Sequence, residues 1–85
     1  MSGFAADIVG LVGSALFIAG FAYANIVPDL DKRCFNAVNL VGSILLLVSL
    51  SVHFNLAAMV LESAWGLIAL AGLVAALRRP AAGRP

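Results

Sequence analysis

One carboxylate interrupts the longest apolar stretch of this chain. From Leu56 to Leu77 the residues are almost all apolar over about one bilayer crossing, and Glu62 lies roughly two turns in. An ionised carboxylate at the centre of a bilayer costs at least about 2.5 kcal/mol on insertion scales, so Glu62 must be neutralised, partnered or turned inward. Two chemistries suit it. It can bind and release a proton, as a coupling group does in small proton-linked transporters, or it can be a carboxylic acid hydrogen-bonded within a helix bundle. Trp65, one turn on, either closes a substrate site over Glu62 or packs as a large residue whose ring N–H finds one partner.

The remaining polar residues of the apolar runs divide in the same way. Asn36 and Asn39, one turn apart, can form a polar layer that receives a ligand at the cytoplasmic mouth, or can bond between helices near the interface. Ser14, Ser43 and Ser49 can bond back to their own helices, which is the default for hydroxyls in apolar helices. His53 reads as a solvated hairpin residue, and Cys34, beside Lys32 and Arg33, as a weak lipidation candidate. A lone cysteine and a lone histidine leave no disulfide framework and no metal-ligand cluster. Gly10-Leu-Val-Gly13 is helix-packing material, not a dinucleotide fingerprint. No catalytic residue, metal site or cofactor is expected, because no second reactive group stands within reach of Glu62; an enzyme is not expected.

These groups need apolar helices to hold them, and the composition supplies little else. Of 85 residues, 64% are hydrophobic and 11% charged, with a mean hydropathy of +1.11, which excludes an ordinary soluble domain and disorder alike. A net charge of +1 is too weak to suggest nucleic acid as a partner. Three spans are expected, at about 8–27, 35–52 and 56–77, after a short segment 1–7 and before a basic tail 78–85 that should be disordered. Pro28 ends the first run, the charged loop around Asp29 to Arg33 follows, and His53-Phe-Asn55 makes a tight connection between spans two and three. A cleaved signal peptide is the rival reading of the first run. It is rejected, because the basic n-region is missing and Asp7 stands where positive charge belongs.

Three spans put the first loop and the C-terminus on one side, and all five basic residues fall there: Lys32, Arg33, Arg78, Arg79 and Arg84. The positive-inside rule then predicts an N-out, C-in protein of the bacterial inner membrane.

At about 100° per residue each span separates into two faces. Span one gathers Gly10, Gly13, Ser14, Phe17, Gly20, Phe21 and Ala24. Span two gathers Asn36, Asn39, Gly42, Ser43, Leu46, Ser49 and His53. Span three gathers Ala58, Glu62, Trp65, Ala69, Gly72 and Ala76. Lipid tails are as apolar as leucine, so association relies on small residues that admit close backbones and polar groups that bond across the gap. The three stripes predict an all-α bundle with Gly10, Gly13, Gly20, Gly42 and Gly72 at the helix contacts. Helical rise puts Glu62 level with Ser14 and Ser49, as the polar centre, and Tyr23 in an interfacial aromatic belt.

The segments Asn36-Ala-Val-Asn39-Leu-Val-Gly42-Ser43, His53-Phe-Asn55 and Leu61-Glu62-Ser-Ala-Trp65-Gly-Leu-Ile resemble the CBU-type domain family of short bacterial membrane proteins. The resemblance runs from about Ile8 to Leu77 and implies three spans, sometimes labelled permease-like, with no established reaction or ligand. In size and topology the chain is also similar to the bacterial half-sugar-transporters, but their Pro-Gln motif is absent, Pro28 being followed by Asp29. The reading that follows is a small oligomeric permease-like protein centred on Glu62. Its competitor is a non-transporting accessory or scaffold subunit of a larger membrane complex.

Overall fold

The computed structural model describes residues 1–79 and consists of three antiparallel helices: α1 (Gly3–Ile26), α2 (Lys32–Leu50) and α3 (Leu56–Arg78). Each is long and apolar enough to cross a membrane. Each start is set by a side-chain cap, the device that satisfies the orphan amides of a first turn. The Ser2 hydroxyl accepts from the Ala5 N–H at 3.0 Å, the Asp31 carboxylate from Arg33 and Cys34, and the Asn55 side chain from Ala58 at 3.0 Å. Because Ser2 caps it, α1 begins at Gly3, ahead of the uninterrupted apolar run at Ile8. The disordered tail expected over 78–85 falls mostly on residues 80–85, outside the described residues.

The bundle is built around α2. Both α1 and α3 pack along it, while no pair of Cα atoms from α1 and α3 comes within 8 Å. The outer helices meet instead through side chains, the Phe17 and Trp65 rings lying 5.4 Å apart between centroids. Leucine-rich faces point outward, as the wheel requires: Val41, Ile44 and Val48 of α2 and Leu61, Leu67 and Leu70 of α3 are exposed. Phe21, expected on the inner stripe of α1, is 73% exposed and turns outward. Gly20, its neighbour in sequence, takes the inner position and faces Asn39.

The inner faces mesh by setting the polar residues of α2 against small residues of its neighbours. Where α1 and α2 meet main chain to main chain, a methyl group on Gly13 would lie 2.9 Å from the Gly42 carbonyl oxygen, so side chains are excluded and the two backbones touch. Ser43 is fully buried against Gly66, where an added Cβ would come within 2.6 Å of its hydroxyl. Asn36 lies against Gly72, and Ser49 against Gly10. The α1 contacts at Gly3, Ala6, Gly10, Gly13, Phe17 and Gly20 repeat every three or four residues, the seam of a left-handed antiparallel pair.

Candidate functional site

Two hydroxyls of α2 fasten the flanking helices by their main chains. Ser49 Oγ donates to the Ala6 carbonyl of α1 at 2.8 Å, and Ser43 Oγ to the Glu62 carbonyl of α3 at 2.7 Å. Neither bonds back to its own helix, the role expected from sequence. Glycine opposite each hydroxyl lets it reach a carbonyl on the next helix instead.

Above these bonds, at the end of the molecule away from the lysine and arginines, lies a cleft of about 470 Å³ between α1 and α3 with α2 as its floor. Asp7, Ser14, Ser49, His53 and Glu62 supply its polar lining. The structure thus brings Glu62, Ser14 and Ser49 to one cavity. Glu62 Oε1 is shut off from the surface and has no hydrogen-bond partner among the described residues. At the mouth, His53 Nε2 lies 3.1 Å from Asp7 Oδ1 and 3.2 Å from the Gly3 carbonyl oxygen, tying the start of α1 to the α2–α3 turn. Both side chains are well exposed, so the pair contributes at most about 1 kcal/mol.

Trp65 is not in the cleft lining. Its indole N–H donates to Asn39 Oδ1 at 3.0 Å, and its ring tilts against Phe17. Asn39 in turn donates from Nδ2 to the Phe35 carbonyl at 2.8 Å, so both ends of its buried amide are used. Asn36 Nδ2 donates to the Lys32 carbonyl at 2.9 Å while its Oδ1 faces Gly72. The two asparagines therefore differ. Asn39 ties α2 to α3, and Asn36 lines a second cavity at the basic end.

Three contacts were not foreseen from sequence. Gly66 receives Ser43, displaced one position from the stripe drawn through Trp65; the i, i+3 spacing to Ala69 was its available signal. Tyr23 does not serve the interface alone, because its hydroxyl accepts the Asp31 N–H at 3.0 Å and fixes the α1–α2 loop. Arg33 donates from Nε to the Ala76 carbonyl at 3.2 Å, closing the end of α3. Among the described residues no group of three His, Cys, Asp or Glu side chains could hold a metal ion.

Three apolar helices, the outer two packed on a central helix that carries polar residues, with one carboxylate on a cleft, define a small multi-pass helical membrane protein. A family model matches residues 6–80, nearly the whole chain, and the protein belongs to that family, the uncharacterised CBU-type domain family. No curated protein and no solved structure gives a significant match.

Proposed function

We propose that the protein is a small permease of the bacterial inner membrane, N-out and C-in, that works as a homo-oligomer with Glu62 as the polar centre of its pathway. The observation that carries this reading is Glu62 itself, on the wall of an open cleft with one buried oxygen that has no bonding partner among the described residues. A carboxylate retained for packing alone is expected to be bonded, since an unpaired buried acceptor costs about 1–3 kcal/mol. A group that must take up and release a proton or cation is left free. The shape supports self-association. Outer helices that stay apart leave the cleft open on one side, and a second copy would close it.

Infrared difference spectroscopy on the protein in bilayers, wild type minus Glu62→Gln, tests the site without a known substrate. The expected result is a Glu62 carboxyl band that responds to the pH on the cleft side and exchanges in heavy water. A band silent to both would mean a dry, bonded carboxyl and would transfer support to an accessory subunit of a larger complex. Chemistry on a substrate is no part of the proposal.

A further inference from the structure

The second polar cavity lies at the opposite end from Glu62, between the start of α2 and the end of α3. It has a volume of about 280 Å³, and its lining combines Lys32, Asn36 and Arg79 with the apolar surfaces of Phe35, Ala75 and Ala76. Lys32 is the first residue of α2, and Arg79 caps α3, so the cavity opens where both helices end. In a three-span protein that is the level of the lipid headgroups.

Positive charge is concentrated here and left free. Lys32, Arg33, Arg78 and Arg79 gather at this end, and none is within 4.0 Å of a carboxylate among the described residues. Asp31 does not line the cavity; it is committed to the N-cap of α2. Asp29 lies in the loop and does not line it either. The last carbonyls of α3 would repel an anion, but Arg33 covers them, donating to Ala76 at 3.2 Å and to Arg79 at 3.5 Å. That frees Lys32 and Arg79, on two different helices, to face a shared ligand. Asn36 adds an amide that spends one of its two N–H groups on the Lys32 carbonyl.

We propose that this cavity binds the phosphate headgroup of one anionic phospholipid per chain. Lys32 and Arg79 hold the phosphate from either side, and the apolar wall of Phe35 and Ala75 receives the glycerol and the first methylenes. A free anion would have no use for that wall, while a zwitterionic phospholipid, which carries the same phosphodiester, would bring a cation of its own up against Lys32 and Arg79. Basic pockets between spanning helices suit such headgroups on electrostatic grounds. The proposal is independent of the pathway reading at Glu62, which occupies a different cavity.

Native mass spectrometry of the full-length protein released from mixed phosphatidylglycerol and phosphatidylcholine vesicles tests it. One phosphatidylglycerol should be retained per chain in preference to phosphatidylcholine. Each cation near an anionic surface is worth roughly fivefold in binding, so Lys32→Gln with Arg79→Gln should weaken retention about 30-fold. Ala75→Phe fills the cavity without touching charge, and it should also abolish retention while helix content stays unchanged by circular dichroism. Equal retention of the two lipids would overturn the proposal. So would an Ala75→Phe variant that keeps its lipid, since that marks diffuse attraction to a basic surface. Displacement of the lipid by millimolar inorganic phosphate would mean a free-anion site and would overturn it too.

Discussion

The indole N–H of Trp65 donates to Asn39 Oδ1 across 3.0 Å, joining the aromatic residue of α3 to the central helix and not to Glu62, one turn away on its own helix. Trp65→Phe keeps a ring against Phe17 and removes only the donor. Interhelical bonds in bilayers average about 0.6 kcal/mol and reach about 2, so a loss in that range is expected. A double-mutant cycle with Asn39→Ala, read by unfolding in mixed micelles, should recover the coupling. Additive losses would show that the bond carries no energy.

Glycine substitutions should separate contact faces from lipid faces. Gly13→Leu forces a side chain into the Gly42 carbonyl, and Gly66→Leu does the same against Ser43. Both should destabilise the bundle by more than about 2 kcal/mol, as overpacking does. Leu70→Phe, on an exposed surface, should be nearly silent in the same unfolding measurement.

Glu62→Gln should leave the fold intact. The interhelical bond at this position uses the Glu62 carbonyl, which every residue carries, and the side-chain oxygen Oε1 has no partner to lose. Thermal unfolding should shift little or upward. A loss of several kcal/mol would show that the carboxyl is structural.

Orientation is expected to follow the basic residues. A reporter fused after the C-terminus should be cytoplasmic, and one fused ahead of Met1 periplasmic. The reverse result would overturn the N-out assignment, and moving Lys32 and Arg33 to the N-terminal segment should scramble it.

Asp7→Asn removes the carboxylate beside His53 at the mouth of the cleft. The pair is exposed, so the expected stability loss is below about 1 kcal/mol, measured by the same unfolding assay in low salt. A larger loss would mean that the bond to the α2–α3 turn is shielded in the bilayer.

Much of this arrangement could be read from the chain because membranes reward few patterns. Length and hydropathy marked the helices, and the spacing of Gly10, Gly13, Gly42, Ser49 and Gly72 marked the faces that meet. Glu62, Ser14 and Ser49 could be brought level by helical rise alone. What stayed hidden was partner choice. A wheel places Trp65 and Glu62 on one stripe, but a small rotation of α3 sends one to Asn39 and leaves the other at the cleft. Sequence periodicity does not resolve such a rotation, since Trp65 and Gly66 are adjacent and either can begin the seam. Arg33 was read as a topological charge, and nothing local signalled that its guanidinium would span to a carbonyl 43 residues on.

The separation of α1 from α3 bears on how the protein is made. Everything α1 bonds to in α2 lies ahead of α3 in the chain, so the first two helices can settle as a hairpin without α3, with Ser49 on the Ala6 carbonyl. The third helix then docks on a finished surface and displaces nothing. A chain severed in the turn between Leu50 and Leu56 should therefore reassemble from two separately inserted pieces.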